Sequence, residues 1–321
     1  MLYIYFISLI LTVVLLLQFI PKLIELKFGQ IVREEGPLGH YIKTGTPTMG
    51  GITFILGTLI TALLFSLIKG FDSEDYKIML LFFLPMFFYG ILGFVDDYLI
   101  VVKKNNIGIK PNVKFFLQIL LSVIYFYIYL SFDMSTLLQI GNFDIDLIWV
   151  YGILILLMFT STTNAVNLTD GLDGLATGLV IIALLAFLTI MLDKDSVLSL
   201  CVISLIGSLS AFLLFNRHPA KIFMGDTGSL ALGAVLVTIS IIMKKEILLI
   251  IIGAVFVIET LSVILQVSYF KITKGKRIFK MAPLHHHFEL KGIKEYHVVE
   301  LFWIAGFLFG LLGLYLNGNV L

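Results

Sequence analysis

Charged residues are scarce in this sequence of 321 residues. Only 13% are Asp, Glu, Lys or Arg, whereas 59% are hydrophobic and the mean hydropathy is +1.05. This composition excludes a soluble globular domain and an intrinsically disordered chain. The single cysteine, Cys201, lies in an apolar run, which excludes a disulfide framework and a thiolate metal site. The net charge of +1 indicates no class of partner, and no nucleic-acid partner is expected.

Long apolar runs are abundant instead. Ten of them approach the roughly twenty residues that a helix needs to cross the hydrocarbon core of a membrane. They lie at about 1–20, 50–68, 77–95, 113–131, 147–163, 175–192, 196–215, 228–243, 246–270 and 298–316. We therefore expect one all-α polytopic membrane domain over residues 1–321. The first run is not predicted to be a cleavable signal, because its first cations, Lys22 and Lys27, follow it.

The distribution of basic residues predicts the orientation of these ten spans. Seventeen of the 22 Lys and Arg residues fall in the odd-numbered connections and five in the even-numbered ones. Because cytoplasmic loops are enriched in Lys and Arg, the odd connections should face the cytoplasm and both termini should face outward. The outer segment 132–146 alternates apolar residues around Gly141-Asn142 and could form a small hairpin.

Five polar segments all lie in the odd connections. They are KTGTPTMGG (Lys43–Gly51), VDD (Val95–Asp97), NAVNLTDGLDGLA (Asn164–Ala176), NRHPAKIFMGDTGS (Asn216–Ser229) and APLHHHFE (Ala282–Glu289). Their clustering on one side of the membrane predicts an active site at the cytoplasmic face.

Asp96 and Asp97 end the third apolar run. A helix C-terminus disfavours negative charge, so either the pair is solvated or something offsets the cost. A bound cation or the following Lys103 and Lys104 are candidates.

Asn164, Asn167, Asp170 and Asp173 are spaced three residues apart. On a helical turn they would share one face, and Gly171 beside them would let a ligand approach the backbone. The alternative is an ordinary loop in which Asp173 is the N-cap of the sixth span. We favour a polar binding site.

Asp226 opens the eighth span between Gly225 and Gly228. Asp226 or Thr227 could cap the helix, but a glycine-lined helix N-terminus also binds phosphate. Asp226 would then hold Mg²⁺ against that phosphate. Phe223 could stack on a base or belong to the core.

Lys43 precedes the second span, where Thr46-Pro47 occupy predicted cap and first-turn positions. Lys43 is either a phosphate ligand or one more cytoplasmic lysine.

Two further polar groups lie towards the C-terminus. His285, His286 and His287 cannot all point one way, which argues against a three-histidine metal site and favours contacts to phosphate or sugar. Glu259, Ser262 and Gln266 form a stripe inside the ninth span. The stripe is either functional, as intramembrane polar residues often are, or a set of interhelical hydrogen bonds.

Together these strings resemble the polyprenyl-phosphate N-acetylhexosamine-1-phosphate transferase superfamily, and within it the phospho-N-acetylmuramoyl-pentapeptide transferases. KTGTPTMGG, GFVDD, NAVNLTDGLDGLA, FMGDTGSLALG and APLHHHFE occur in family order between residues 43 and 289. The resemblance implies Mg²⁺-dependent transfer of phospho-N-acetylmuramoyl-pentapeptide from UDP to undecaprenyl phosphate, with release of UMP. It also implies the bacterial cytoplasmic membrane and a homodimer.

The resemblance also assigns residues. Asp226 would bind Mg²⁺, and Asp96 and Asp97 would lie at the reacting phosphates. The remaining matched positions would line the nucleotide and sugar-phosphate site: Lys43, Thr48, Asn164, Asn167, Asp170, Gly171, Asp173, Asn216, Phe223, Gly225, Gln266, His285, His286 and His287. One position departs from the family, because Ile100 stands where a Lys is usual; Lys103, Lys104 or Lys114 could replace it.

Two mechanisms follow from this assignment: an Asp attacks first, or the lipid phosphate attacks directly. A phosphate monoester has a second pKa of about 6, so the acceptor is mostly dianionic at neutral pH and hardly needs a base. We therefore predict direct attack, with Asp96 and Asp97 orienting the acceptor. An N-acetylglucosamine-1-phosphate transferase is the nearest alternative. A secondary transporter is less consistent, since transporter sites lie near the midplane, often between inverted repeats.

Overall fold

The computed structural model describes residues 1–26, 29, 43, 45–103, 108–141, 143–191 and 196–319. Apart from one hairpin, the regular structure in these ranges is helical, which confirms an all-α polytopic membrane protein. The helices are α1 (Leu2–Glu25), α2 (Gly51–Lys69), α3 (Ser73–Lys103), α4 (Pro111–Ser131), α5 (Trp149–Thr169), α6 (Leu175–Met191), α7 (Val197–Asn216), α8 (Gly225–Ile242), α9 (Glu246–Ile252), α10 (Ala254–Ile272), α11 (Leu284–Glu289) and α12 (Glu295–Asn319).

Nine helices in the described part of the chain are long and apolar enough to cross a membrane: α1 to α5, α7, α8, α10 and α12. Helix α6 occupies the sixth predicted run and is apolar, but it has only 17 residues. Helices suit this environment because they satisfy every backbone polar group within the segment.

Two predicted spans have different limits in the structure. Helix α3 does not end at Asp97 but continues to Lys103, so the aspartate pair lies inside the helix. The ninth run is broken at Gly253, whose backbone (φ −90°, ψ 16°) departs from helical geometry between α9 and α10. The Gly253 N–H still donates to the Leu249 carbonyl at 2.8 Å, so α9 ends with its hydrogen bond intact.

The predicted outer hairpin is present. Strands β1 (Leu137–Ile140) and β2 (Phe143–Asp146) pair antiparallel, with Ile140 opposite Phe143. Gly141 begins the turn with φ 58°, a left-handed conformation that costs glycine little.

Helix α8 lies at the centre of the bundle. It packs against α3 and α5 most extensively and also against α2, α6 and α9, and most of its side chains are buried. Helices α1 and α4 expose most of their apolar residues, as expected for helices that face lipid. This packing brings the first turn of α8 beside the last turns of α3 and α5, where three of the predicted polar segments lie.

The start of α2 differs from the prediction. Thr46-Pro47 do not begin the helix; α2 starts at Gly51, with Gly50 as its N-cap. The preceding segment instead pairs with residues before α8. The Phe223 N–H donates to the Pro47 carbonyl at 2.8 Å, and the Gly50 N–H donates to the Phe223 carbonyl at 2.8 Å. The first polar segment is thereby fixed against the fourth.

Candidate active site

Asp97 on α3 joins that helix to the start of α8. Its Oδ1 accepts from the Asp226 N–H at 3.0 Å, and its Oδ2 accepts from the Thr227 N–H at 3.0 Å and the Thr227 hydroxyl at 2.6 Å. The side chain is buried. Asp97 thus caps α8 from a neighbouring helix, where the positive end of the helix dipole stabilises its charge.

This cap corrects two predictions. Neither Asp226 nor Thr227 caps α8 with its own side chain, and the first-turn N–H groups expected for a phosphate are given to Asp97. Gly225 is required at this contact: it has φ +69°, and a Cβ there would lie 2.4 Å from Asp97 Oδ2 and 2.9 Å from the Thr48 hydroxyl. Thr48 is therefore placed beside the cap, where it is buried.

Asp96 is held by the segment that follows α3. Its Oδ1 accepts from the Ile109 N–H at 2.6 Å, and its Oδ2 is 3.4 Å from Lys114 Nζ on α4. Lys114 also forms an ion pair with Asp226 Oδ2. Lys114 therefore bridges two carboxylates. Lys103 and Lys104 were the other candidates to replace the Lys that the family usually has at the position of Ile100. Lys103 is exposed, and Lys104 lies outside the described residues.

Asp226 completes what we call the carboxylate cluster, defined as Asp96, Asp97 and Asp226. Its Oδ1 accepts from Asn167 Nδ2 at 2.7 Å, and the same amide donates to the Ser229 hydroxyl at 2.9 Å. The Asp226 side chain is 23% exposed, the most accessible of the three. The Lys114 ammonium neutralises only part of the charge of these three carboxylates, so the cluster attracts a further cation.

The Asn164–Asp173 series does not share one helical face, because α5 ends at Thr169. Asn164 turns away from the cluster and donates to Gln118 Oε1 at 2.8 Å. Asp173 lies in the turn before α6 and does not cap that helix, which begins at Leu175. Only Asn167 of this series hydrogen-bonds to the carboxylate cluster in the described part of the chain.

Asp170 follows α5 and forms no side-chain hydrogen bond with any described residue. Burial raises the pKa of its carboxyl well above the usual range, and the carboxylates of Asp226, Asp97 and Asp173 raise it further; Lys43 acts in the opposite direction. Part of the side chain remains accessible. An acid with no side-chain hydrogen bond to a described residue, influenced by Asp226 on one side and by Lys43 on the other, is a candidate for binding a cation or a ligand donor.

A second group, the Lys43 clasp, comprises Lys43, Asp173, His218 and Glu295. Lys43 Nζ donates to Asp173 Oδ1 at 2.7 Å and to Glu295 Oε1 at 2.5 Å. Asp173 Oδ2 lies 3.1 Å from His218 Nδ1 and accepts from the Ala220 N–H at 3.0 Å.

Asp173, His218 and Glu295 have the spacing of a metal-binding trio. The Lys43 ammonium already bonds to both acids, however, and Mg²⁺ prefers oxygen ligands to imidazole. We assign this trio to holding Lys43.

The three histidines point in different directions, as predicted. His285 is fully buried: its Nδ1 lies 3.1 Å from Glu259 Oε2, and its backbone N–H donates to Glu259 Oε1 at 3.2 Å. His285 Nε2 faces Gly171, where a Cβ would approach it to 2.3 Å. The Glu259 carboxylate thus orients His285 with its Nε2 against the turn that carries Asp170, and this buried nitrogen has no hydrogen-bond partner among the described residues.

His286 and His287 are half-buried on α11. His286 Nδ1 lies 2.9 Å from Glu289 Oε2, and His287 Nδ1 accepts from the Lys280 N–H at 3.0 Å. Burial lowers the pKa of His287, and Lys291 and Lys280 lower it further.

Two predicted ligands have their polar atoms bonded to the protein. Asn216 is buried, accepts from the Thr177 hydroxyl at 2.7 Å and donates to the Ile222 carbonyl at 3.0 Å. Gln266 Oε1 accepts from the N–H groups of residues 278 and 279 at 3.0 and 2.9 Å. Both side chains therefore shape loops beside the site. Phe223 is half-buried.

Two residues of the Lys43 clasp were missed in the sequence. His218 lies inside a predicted segment, but nothing distinguished it there from a loop histidine. Glu295 begins α12, where an acid is already explained by the helix dipole. Neither carried a signal that spacing alone could reveal.

The sequence was compared with known proteins. The profile of Glycosyl transferase family 4 matches residues 79–244, which include α4, α5 and the whole carboxylate cluster. A phospho-N-acetylmuramoyl-pentapeptide-transferase of Staphylococcus carnosus (strain TM300) is 51% identical over 318 residues, covering 97% of each chain. The protein of that name from Bacillus subtilis (strain 168) is 50% identical over 301 residues, covering 93% of this chain and 92% of its own.

The chain belongs to the phospho-N-acetylmuramoyl-pentapeptide transferase family. This confirms the family predicted from the five strings and a multi-pass protein of the bacterial cytoplasmic membrane. It favours this transferase over the N-acetylglucosamine-1-phosphate enzyme and over a transporter.

Proposed function

We propose that this transferase moves phospho-N-acetylmuramoyl-pentapeptide from UDP to undecaprenyl phosphate and releases UMP. The observation that carries the proposal is the carboxylate cluster with Lys114 bridging two of its acids, set at the joined ends of α3, α5 and α8. A lipid phosphate and a soluble pyrophosphate can meet only at the membrane surface, where helix ends such as these lie.

The proposed topology has ten spans, with α6 as the short one and α9–α10 as one broken span. Both termini then face outward, and the carboxylate cluster and the Lys43 clasp face the cytoplasm. The excess of basic residues in the odd connections supports this orientation. A single domain and a homodimer complete the proposal.

The carboxylate cluster fits Mg²⁺ by its chemistry. Asp96 and Asp226 each offer a carboxylate oxygen to one shared cation, the Lys114 ammonium, and hard oxygens are the ligands that Mg²⁺ prefers. These two acids would hold the ion, with Asn167 fixing the orientation of Asp226. When bound, Mg²⁺ supplies positive charge that neutralises the pyrophosphate oxygens.

Direct attack by the acceptor is the mechanism that the contacts of Asp97 favour. Both oxygens of Asp97 accept hydrogen bonds from α8, so attack by Asp97 would break its own cap. An acceptor phosphate oxygen instead bonds to the sugar-bearing phosphorus. The pyrophosphate P–O bond breaks, and its electron pair leaves with UMP. Catalysis then consists of positioning and charge neutralisation.

The other groups are assigned to substrate binding. Lys114 would contact the reacting phosphates. Asp170, Lys43 and the ring of Phe223 would contact the nucleotide and sugar phosphate. Asn216 and Gln266 would support these groups indirectly, because their polar atoms already bond to the protein. His285 would do so through its Nδ1 contact with Glu259, while its Nε2 stays without a hydrogen-bond partner among the described residues.

The test is UMP release by the purified protein in detergent with UDP-N-acetylmuramoyl-pentapeptide, polyprenyl phosphate and Mg²⁺. We expect release to require all three components and to stop on chelation of the metal. Faster turnover of UDP-N-acetylglucosamine would refute the substrate. UMP release without the acceptor, or a trapped phospho-aspartate, would refute direct attack.

A further inference from the structure

Three polar residues form a buried stripe on the membrane-spanning helix α10: Glu259, Ser262 and Gln266. Ser262 is satisfied locally, because its hydroxyl donates to the Glu259 carbonyl at 2.6 Å. Gln266 Oε1 accepts from the N–H groups of residues 278 and 279 and so fixes the loop that leads to α11. Glu259 is the ionisable member of the stripe. An acid inside a membrane span is costly to bury, so it requires a specific partner.

Both oxygens of Glu259 contact one residue, His285. Oε1 accepts from the His285 backbone N–H at 3.2 Å, and Oε2 lies 3.1 Å from the ring Nδ1. Both side chains are 0% exposed. Because an ionised carboxylate only accepts hydrogen bonds, the ring contact requires a proton on Nδ1. Glu259 therefore fixes the backbone at the start of α11 with one oxygen and the orientation of the ring with the other.

The opposite side of the His285 ring lies against the turn between α5 and α6. A Cβ on Gly171 would lie 2.3 Å from Nε2 and 3.0 Å from Cε1, so only a glycine fits beside the ring. Nε2 is buried and has no hydrogen-bond partner among the described residues. A buried nitrogen without a partner costs stability, so a hydrogen bond of Nε2 does not account for this position of the ring. The contact with Glu259 holds the ring against the turn.

Gly171 directly follows Asp170, which is assigned above to the nucleotide and sugar phosphate. The Asp170 side chain forms no hydrogen bond with a described residue, so its position depends on the backbone of the turn. The His285 ring is one wall of that turn. Displacement of the ring therefore moves Asp170, although the two side chains do not hydrogen-bond to each other.

We propose that Glu259 is a positioning residue for the UDP substrate: through His285 it fixes the turn that carries Asp170. This inference rests on the proposed function, because the contact between Asp170 and the UDP substrate is part of it. The Glu259 carboxylate itself contacts neither the substrate nor the reacting phosphates. Its loss should weaken binding of the UDP substrate and leave the turnover of bound substrate and the KM for polyprenyl phosphate unchanged.

Glu259→Gln tests the contact with the ring. The amide oxygen keeps the His285 backbone N–H, so α11 stays docked, but the NH₂ group faces Nδ1, which must then accept. Calorimetry without polyprenyl phosphate should show the Kd for UDP-N-acetylmuramoyl-pentapeptide rising about tenfold. The kcat at saturating substrate should change by less than about twofold. A lower kcat with an unchanged Kd would indicate a merely structural role and would overturn the proposal.

Glu300→Gln is the matched control for this change. Glu300 Oε2 also lies 3.1 Å from a histidine Nδ1, that of His297, but both side chains are exposed on α12. We expect this variant to bind the UDP substrate as tightly as the unchanged protein does. An equal rise in Kd for Glu259→Gln and Glu300→Gln would refute a specific role for Glu259.

Gly171→Ala disturbs the same ring from the other side and leaves Glu259 and His285 in place. Because Gly171 has no positive φ, alanine strains no backbone angle there, and its Cβ acts on the ring. We expect the same rise in Kd of about tenfold. Gly310→Ala is the control, since its Cβ would meet other atoms no closer than 3.7 Å. The double variant should also show about a tenfold rise, because both changes displace one ring; a rise of about a hundredfold would contradict the proposal.

Nitrogen NMR of labelled histidine rings tests the orientation of His285 without substrate. The signal of His285 is identified among those of the six histidines by its loss in His285→Gln. We expect a proton on Nδ1 in the unchanged protein and none there in Glu259→Gln; a bare Nδ1 in the unchanged protein would refute the inference. If the unchanged protein does not bind the UDP substrate, the proposed function fails and the inference with it. Binding that both Glu259→Gln and Gly171→Ala leave unaltered refutes the inference alone.

Discussion

Asp97→Asn separates a structural role of this aspartate from a chemical one. The best-placed amide keeps its oxygen on the two Thr227 donors, but its NH₂ group then faces the Asp226 N–H. A buried bond to a charged acceptor is lost, at about 1.5–3 kcal/mol, together with the charge at the α8 N-terminus, worth up to about 2 kcal/mol. The amide also removes the cost of burying the Asp97 charge and the repulsion between Asp97 and Asp226, which offsets part of this loss. We therefore expect a loss of about 2 kcal/mol or more.

Thermal melting of the purified protein measures this loss. For a chain of this size about 2 kcal/mol corresponds to a fall in Tm of about 4 °C. Asp96→Asn is the matched control: the amide oxygen keeps the Ile109 N–H, and Lys114 keeps Asp226, so the Tm should change by less than half as much. An Asp97→Asn protein with an unchanged Tm would refute the capping role.

Thr227→Val gives an independent measure of the same contact. It removes the 2.6 Å hydroxyl bond to Asp97 and keeps both backbone bonds, so about 1.5 kcal/mol should be lost. Because the two residues touch, the double variant should lose less than the sum of the single losses. Additive losses would show that the hydroxyl and the carboxylate do not act together.

Two further predictions concern charge. Asp170→Asn should flatten the pH dependence of Tm: burial and neighbouring carboxylates raise the pKa of Asp170 in the fold, so stability falls as pH rises from about 4 towards that higher pKa, and the amide removes this decline. Equal slopes for the two proteins contradict this. Lys114→Met should lower the Tm without metal and enlarge the rise in Tm on adding Mg²⁺, because Asp96 and Asp226 lose their shared cation. Lys103→Met, at an exposed position, is the control; an equal Mg²⁺ effect in both variants would count against the cluster as the metal site.

Hydropathy and charge were sufficient to predict the helical runs and the one-sided grouping of polar segments. They did not reveal the break at Gly253, because a glycine inside an apolar run also fits a continuous helix. Nor did they show α3 continuing past Asp97, since the stabilising groups come from α8, 129 residues further along the chain, and from Ile109, 13 residues after Asp96. Contacts of this kind depend on tertiary packing that no local pattern records.

The site shows the same limit residue by residue. Asn216 and Gln266 were predicted as ligands because the family resemblance assigned them to the site, yet their polar atoms bond to backbone groups of adjacent loops. Lys114 was one of several candidate lysines, and only the packing of α4 against α3 separates it from Lys103.

The contact between Lys43 and Glu295 joins residues 252 positions apart, and Glu295 is the first residue of α12. During translation Lys43 is therefore made well before Glu295, the second of the two acids that bond to it. The clasp cannot close until the last helix has entered the membrane beside α6 and α10. Partly made chains, with α1 to α10 already inserted, would therefore lack this part of the candidate site.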